Sequence, residues 1–150
     1  MAEIHLQKAT TRDIPTLISI EKKLVGIKTV STITTEKEWL DEFNNHNEVI
    51  YLIFKNDVVV GDASYEKKPD GSAYLSGLVI DPQFQRQGIG RKTMEIIMEE
   101  LKDTKIIKLV THPENTAAVN LYLSFGFVIK SQIENYFGDN EPRIEMVKEK

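Results

Sequence analysis

The chain of 150 residues contains no cysteine. It therefore forms no disulfide and has no thiol nucleophile, a composition that is typical of a cytoplasmic protein. No apolar run approaches the roughly 20 residues that a membrane-spanning helix needs. Residues 1–5 lack the basic segment followed by an apolar segment that marks a secretory signal. We therefore expect a cytoplasmic protein with no membrane partner.

An excess of basic residues is also missing. The sequence has 19 lysines and arginines against 23 aspartates and glutamates, a net charge of -4 and an isoelectric point near 5.4. Proteins that bind nucleic acids usually carry a basic patch, so we expect no nucleic-acid partner. His5 and His46 are isolated and show no metal-ligand spacing, so no metal site is expected. The acidic balance would suit a cationic substrate, although many proteins share it.

Hydrophobic periodicity divides the chain into the elements of a mixed α/β protein. Helices are predicted near residues 14–25, 36–43, 88–102 and 116–125, and strands at residues 4–8, 49–54, 58–65, 73–80, 106–110, 127–133 and 144–148. The turn residues Asn56 and Asp57 make the second and third strands a hairpin. We expect a mixed sheet with helices on both faces, in a single domain of residues 1–150.

The strand at residues 106–110 is the second strand of a strand–helix–strand unit that begins at Leu75. Such a unit should form a right-handed parallel crossover. The strand is apolar except for Lys108, which predicts burial on both of its faces.

The most informative segment is Gln-Arg-Gln-Gly-Ile-Gly-Arg at residues 85–91. Gly88 and Gly90 allow a sharp turn and leave the amides at the start of the next helix uncovered. Such amides form an anion site, and the phosphates of a nucleotide cofactor are the expected anion. The chain has no P-loop string and lacks the third glycine of the dinucleotide-binding pattern. Gln85, Gly88 and Gly90 instead match the acyl-coenzyme A pattern Gln/Arg-x-x-Gly-x-Gly/Ala.

Two further segments resemble those of the GNAT (Gcn5-related N-acetyltransferase) family. Residues 77–82, Gly-Leu-Val-Ile-Asp-Pro, look like the strand before the family's loop. Residues 115–127 look like its second signature, which runs from Asn115 through a Leu-Tyr pair to a Gly-Phe pair. The resemblance implies a mixed, mostly antiparallel sheet of about seven strands, with a splay between the fourth and fifth strands.

The resemblance also implies an enzyme. A GNAT member transfers the acetyl group of acetyl-CoA to a primary amine by direct attack in a ternary complex. The C-terminal half looks closest to ribosomal-protein and protein N-terminal acetyltransferases, which favours a peptide or protein α-amine as acceptor. A small amine or polyamine is the alternative acceptor, a non-catalytic acyl-CoA-binding domain is the alternative function, and a longer acyl chain stays open. Family members often form homodimers, although the sequence shows no dimer signature.

The family's contacts carry over to this chain residue by residue. The loop amides should hold the pyrophosphate, the strand before the loop should pair with the pantetheine amides, and an asparagine should bind the pantetheine arm. The expected cofactor-binding residues are Leu78, Val79, Arg86, Gln87, Gly88, Ile89, Gly90, Arg91 and Asn115. Tyr122 is expected to be the catalytic acid that protonates the departing thiolate, and a core aromatic is its alternative role.

The general base is not fixed by the resemblance. Relatives in the N-terminal branch often carry a glutamate on the strand before the second signature, where this chain has Val110. His112 and Glu114 are the nearest titratable groups. A water relay to solvent is the alternative to any single base.

The loop between the last two predicted strands resembles a substrate wall of the same branch. Tyr136 should contact the acceptor, and Glu134 or Glu141 should attract a cation. Together with His112, the expected substrate residues are therefore Tyr136 and Glu134. An ordinary exposed hairpin loop is the alternative.

Overall fold

The structure is a computed structural model that describes residues 3–150. Residues 1 and 2, which belong to the segment inspected for a secretory signal and to the expected domain 1–150, lie outside the described residues. The strands are β1 (Ile4–Lys8), β2 (Glu48–Lys55), β3 (Val58–Lys67), β4 (Ala73–Ile80), β5 (Ile106–Thr111), β6 (Val128–Ile133) and β7 (Arg143–Glu149). The helices are α1 (Ile14–Lys22), α2 (Glu36–Asn44), α3 (Ile89–Glu100) and α4 (Thr116–Ser124). In this part of the chain no helix is long and apolar enough to cross a membrane.

The strands form one mixed sheet in the order β1-β2-β3-β4-β5-β7-β6. Neighbouring strands are antiparallel except β4 and β5, which are parallel because α3 carries the chain back across the sheet. The predicted order of helices and strands is confirmed, as is the mostly antiparallel sheet of the GNAT type. The first helix ends at Lys22, earlier than its predicted end near residue 25.

Helices α1 and α2 cover one face of the sheet, over β2 and β3. Thr35 begins α2, because its hydroxyl oxygen accepts a hydrogen bond from the Glu38 amide at 3.2 Å. One turn later Trp39 is buried in a cluster with Leu17 of α1 and Ile50 of β2. The amphipathic pattern of both short helices is therefore satisfied by packing on the same hairpin.

Helix α3 covers the opposite face, together with α4. It buries Met94 in the main core, against residues that include Ile107 of β5. At its C-terminal end, Glu100 accepts hydrogen bonds from the hydroxyls of Tyr51 at 2.7 Å and Tyr65 at 2.8 Å. These contacts fix the position of α3, and with it the position of its N-terminus at the glycine loop.

The prediction that β5 is buried on both faces is wrong. Ile107 and Leu109 are buried on the α3 side, whereas Ile106 is 40% exposed and Lys108 points the same way as Ile106. Helices α1 and α2 pack mainly on β3 and β2, so they leave this face of β5 open. The apolar residues of β5 therefore do not indicate that helices cover both of its faces.

The strands β4 and β5 are paired only over their first halves. Residues 73–75 of β4 face residues 107–109 of β5, although β4 continues to Ile80 and β5 to Thr111. At the same place Ser76 is an extra residue that bulges out of the ladder between β4 and β3. This is the splay that the resemblance implied, and it opens a cleft in the middle of the sheet.

Candidate active site

A groove runs from the glycine loop into the splay between β4 and β5. Its outer part is lined by the loop, the end of β4 and α4, and its inner part lies between the two strands. Leu78, Asn115 and Tyr122 line both parts. Beyond residue 75 the backbone of β4 has no partner on the β5 side, so its N–H and C=O groups can pair with an extended ligand. The groove therefore suits a long ligand with an anion at one end and amide groups along its arm.

The anion end of the groove is the N-terminus of α3. Gly88 precedes the helix with a φ of 78° and Arg86 has a φ of 65°, so the chain turns sharply before it enters the helix. Within residues 3–150, no hydrogen bond outside the helices and strands begins at the amides of residues 87–91. Arg91 belongs to the first turn of α3, and its guanidinium lies 5.6 Å from the centre of the Phe125 ring at the end of α4. Free amides, the helix dipole and two arginines together give this end of the groove the features of an anion site.

Asn115 and Tyr122 lie where the groove enters the splay. Oδ1 of Asn115 accepts a hydrogen bond from the Ala118 amide at 3.2 Å and so caps α4, which leaves Nδ2 able to donate to a ligand. Tyr122 packs edge-on against Phe127, with ring centres 6.0 Å apart. Burial raises the pKa of Tyr122 to about 12, so the phenol keeps its proton at neutral pH and can donate it into the groove.

A second cavity, which we call the acidic cavity, adjoins the splay on the α1–α2 face of the sheet. Its carboxylates come from α1, α2, β2 and β3, and they are Glu21, Glu38, Glu42, Glu48, Asp62 and Glu66. No lysine, arginine or histidine is among the described residues that line it. The acidic cavity and the splay share Ser76, Gly77 and Phe137, so an acceptor in the cavity can reach a ligand in the groove.

Glu48 is the carboxylate whose titration suits proton transfer. Burial is the largest cause that raises the pKa of Glu48 to about 7, and the charges of Glu42 and Glu66 raise it further, whereas Ser76 and Lys68 oppose the shift. A base is most effective when its pKa lies near the working pH. Since Ser76 is the bulged residue of β4, Glu48 lies beside the mouth of the splay.

The deepest carboxyl groups are those of Glu21 and Asp62, each 3% exposed. Burial, followed by the charge of Glu21, raises the pKa of Asp62 well above its ordinary value. Burial also raises the pKa of Glu21, one oxygen of which accepts a hydrogen bond from the Ile33 amide at 2.7 Å. Burial therefore favours the protonated form of this pair in the absence of a cation.

His112, at the end of β5, is fully buried and uses both ring nitrogens inside the protein. The Glu114 amide donates to Nδ1 at 3.0 Å, so the proton of the neutral ring is on Nε2, which lies 2.7 Å from a carboxylate oxygen of Glu141. This contact anchors the β6–β7 loop and favours a positioning role for His112 over that of a base. His112, Glu114 and Glu141 bring potential metal-ligand atoms within 4.8 Å of one another. The hydrogen bonds of the His112 ring to the other two residues account for this cluster.

Phe137 is the residue of the β6–β7 loop that lines both the splay and the acidic cavity. Tyr136 packs edge-on against Phe137 at 4.8 Å and lies near the Tyr74 hydroxyl. Glu134 is exposed and accepts a hydrogen bond from Gln132 at 3.0 Å, and it lines neither cavity. The substrate roles expected for Tyr136 and Glu134 stay predictions, and Phe137 is the additional residue that the geometry offers.

The residues expected to bind the cofactor come together along the groove. Those that line it are Leu78, Val79, Arg86, Gly88, Ile89, Gly90 and Asn115. Gln87 and Arg91 lie beside it on the loop and the first turn of α3, where Gln87 accepts a hydrogen bond from Lys55 at 2.6 Å. Their roles stay predictions.

Sequence reasoning missed the acidic cavity entirely. Its carboxylates follow no motif, because they come from four separate elements. The one local signal was Asp62, a charged residue in the middle of the largely buried strand β3. A buried, unpaired carboxyl in a central strand is costly and therefore points to a site.

Solved structures share this fold. The ribosomal-protein-S18-alanine N-acetyltransferase from Escherichia coli superposes with a TM-score of 0.81 at 24% identity, over 98% of this chain and 94% of that one. The ribosomal L7/L12 α-N-protein acetyltransferase RimL, in complex with coenzyme A, gives a TM-score of 0.81 at 19% identity, over 97% and 93% of the two chains. At these identities the likeness establishes the architecture.

The pairwise sequence matches cover shorter segments than the structural superpositions. The ribosomal protein bS18-alanine N-acetyltransferase of Escherichia coli (strain K12) is 32% identical over 77 residues, which are 50% of this chain and 52% of that protein. The chain thus spans about half the length, or less, of the curated relatives it matches. The profile of the acetyltransferase (GNAT) family matches residues 17–127, well over half of the chain. The chain therefore belongs to the acetyltransferase (GNAT) family.

Proposed function

We propose that this chain is an acetyl-CoA-dependent N-acetyltransferase whose acceptor is a primary amine, namely the α-amine of a peptide or protein. The observation that carries the proposal is the continuous path from the α3 amides, past Tyr122 in the splay, to the acidic cavity. The similarity to an alanine N-acetyltransferase and to an α-N-protein acetyltransferase that contains coenzyme A supports it.

The groove matches the parts of coenzyme A in order. The amides of the glycine loop, with Arg86 beside them, would bind the pyrophosphate. The unpaired backbone of β4 near Leu78 and Val79 would pair with the pantetheine amides, and Nδ2 of Asn115 would donate to the same arm. Bound in this way, acetyl-CoA supplies an acetyl thioester inside the splay.

Glu48 would take the proton of the acceptor. An α-ammonium group has a pKa about 1 unit above that of Glu48, so this transfer costs on the order of 1 kcal/mol. The same transfer from a lysine side chain, with a pKa of about 10.4, costs on the order of 4–5 kcal/mol. The difference of about 3 kcal/mol, or more than a hundredfold in rate, favours an α-amine over an unperturbed lysine side chain.

Tyr122 would complete the transfer at the other side of the thioester. The amine nitrogen bonds to the acetyl carbon and releases its second proton to solvent, the carbon–sulfur bond breaks, and the sulfur leaves with a proton from the Tyr122 hydroxyl. Tyr122 then regains a proton from solvent. Because the chain has no cysteine, no thiol of the protein can carry the acetyl group between the two substrates.

We further propose that residues 1–150 act as one acetyltransferase domain in the cytoplasm. The single mixed sheet across the described residues and the absence of cysteine support this proposal. A homodimer stays a prediction.

Calorimetry with acetyl-CoA tests the cofactor part of the proposal. Gly88→Val forces a β-branched residue into a φ of 78° at the anion site and should weaken binding at least about tenfold. Gly71→Val is the matched control, since Gly71 has a φ of 88°, has open space around it, and lies in the turn before the opposite end of β4. Equal binding by the two variants would overturn the cofactor assignment.

Release of free thiol tests whether the chain is an enzyme. Acetyl-CoA is mixed with the wild-type chain and a panel of peptides that differ at the first residue, beside lysine and small amines. Thiol release that depends on a peptide α-amine supports the proposal. Tight acetyl-CoA binding with no thiol release from any amine would instead establish a non-catalytic acyl-CoA-binding domain.

A further inference from the structure

The charge of the acidic cavity exceeds what one reacting amine requires. Glu48 suffices as a base, yet five other carboxyl groups line the same space. Among the described residues, Glu66 is the carboxylate of this cavity that forms an ion pair, with Lys68 at 2.9 Å. The others have neighbours of the same sign: burial is the largest cause that raises the pKa of Glu42, and the charges of Glu66, Asp41 and Glu38 raise it further. Like charges that face a cavity repel one another unless a cation enters it.

Two buried oxygens of the acidic cavity have no hydrogen-bond partner among the described residues. They are Oδ2 of Asp62 and Oε1 of Glu48. A buried acceptor that remains unsatisfied destabilises a fold, so such atoms are expected where a ligand supplies the donor. Asp62 lines the cavity while its residue is 97% buried, which places this acceptor at the cavity's floor. The orphaned oxygens are therefore evidence for a cationic ligand that is independent of the charge count.

The positions of the carboxylates on β2 and β3 determine how far the acidic cavity extends from the splay. Glu48 lies opposite Glu66 on β3, and Glu66 lies opposite Tyr74 on β4. With strands about 4.8 Å apart, the backbone of β2 lies roughly 10 Å from the backbone of β4, and the acidic cavity spans this distance. An amine at the splay thus leaves room for a second group several bonds away in the acidic cavity, which has a volume of about 1120 Å³ including its open mouth.

We propose that the acidic cavity binds a second positive charge of the acceptor, so that the preferred acceptors are dicationic amines. This inference rests on the N-acetyltransferase function proposed above. The reacting amine sits at Ser76 and the splay, beside Glu48, and the second cation lies between Glu42 and Asp62. The second cation can be a basic side chain next to the α-amine of a peptide, or the far amine of a small diamine, whose reacting amine is harder to deprotonate than an α-amine.

Matched acceptors test the inference in the thiol-release assay. One arm compares peptides with lysine or with norleucine as the second residue, and the other compares putrescine with butylamine. Each pair keeps the alkyl chain and differs in one charge. Exposed ion pairs change binding a few-fold and desolvated pairs change it far more, so kcat/KM should favour the dication about tenfold in this half-buried cavity. The preference should shrink as ionic strength rises.

Two neighbouring charge reversals on α2 locate the effect. Glu42→Lys places a positive charge in the acidic cavity and should abolish the preference for the dication. Asp41→Lys is the matched control, because Asp41 points outward on the same helix and pairs with Lys37 at 3.1 Å. Asp62→Asn removes the deep carboxyl with almost no change of volume and should reduce the preference as well.

The outcomes separate the two proposals. A preference in the peptide arm alone identifies a basic N-terminal segment as the acceptor, and one in the diamine arm alone identifies a small diamine. Equal rates for charged and neutral members of both pairs, with thiol release intact, would overturn the inference and leave the proposed function standing. Equal loss of the preference in Asp41→Lys and Glu42→Lys would also overturn it. No thiol release from any acceptor would overturn the proposed function itself.

Discussion

Replacement of Glu48 by glutamine should stabilise the protein at alkaline pH while it lowers activity. Glutamine has nearly the same shape as glutamate and carries no charge at any pH. The pKa of Glu48 rises from 4.5 to about 7 in the folded chain, so folding favours its protonated form. Ionised Glu48 therefore costs stability, and that cost is absent below about pH 4.5, grows between the two pKa values and is complete above about pH 7.

The size of this cost follows from the two pKa values. Their difference corresponds to at most about 3 kcal/mol, at roughly 1.4 kcal/mol per pKa unit. Glu48 is only partly buried, so solvent screening reduces the figure to roughly 1–2 kcal/mol. Glu48→Gln should raise the free energy of unfolding by that amount near pH 8, relative to its effect near pH 5.

Urea denaturation at the two pH values measures the effect. The difference between the two pH values is the relevant quantity, because any fixed effect of the amide group cancels in it. Glu149→Gln, at an exposed position of β7, controls for a general change in charge. A free-energy change in Glu48→Gln that is the same near pH 5 and near pH 8 would refute the reasoning about burial.

The same variant has a kinetic signature. In the wild-type chain kcat/KM should rise with pH through about 7 as Glu48 ionises, on top of the titration of the acceptor amine. In Glu48→Gln that step should be missing and kcat should fall about 100-fold or more, with acetyl-CoA affinity unchanged. A variant that keeps the wild-type profile would remove Glu48 from the mechanism even if its effect on stability is confirmed.

Three other changes probe the reaction and the fold. Tyr122→Phe should lower kcat about 100-fold in the thiol-release assay with little change in acetyl-CoA affinity, and an unchanged rate would contradict the acid role. Gly61→Ala places a Cβ 2.2 Å from the carbonyl oxygen of Val79, so the free energy of unfolding should fall by about 2 kcal/mol or more; unaltered urea denaturation would contradict the close strand contact. Thr35→Ala removes the hydroxyl that caps the Glu38 amide at the start of α2, so the free energy of unfolding should fall by about 1 kcal/mol; an unchanged value would contradict the capping role.

The glycine loop and Asn115 show why part of the site could be predicted. A turn that leaves helix amides uncovered needs glycine at fixed spacing, and an N-cap needs a short polar side chain, so both features are encoded locally. The splay was expected only from the resemblance. In the structure it corresponds to the bulge at Ser76 and to strand pairing that stops after residue 75.

Strand β5 shows the limit of local patterns. Its apolar run predicted two buried faces, but Ile106 is exposed because α1 and α2 lie over other strands. A hydrophobic residue in the sequence indicates that its side chain favours burial. Whether a helix covers that side chain depends on another part of the chain. For the same reason His112 looked like a free titratable group until its contact with Glu141 was known.

The sequence by itself determined the order of helices and strands, the glycine loop with its uncovered helix amides and the signature around Tyr122. Each of these depends on residues within about one or two turns or one strand of each other. Only the tertiary structure decided which carboxylates meet at the acceptor side. Glu21, Glu42, Glu48 and Asp62 are separated along the chain and become neighbours when α1 and α2 pack on the β2–β3 hairpin. Burial and mutual repulsion then change their pKa values, and these forces act through space between residues that no local pattern connects.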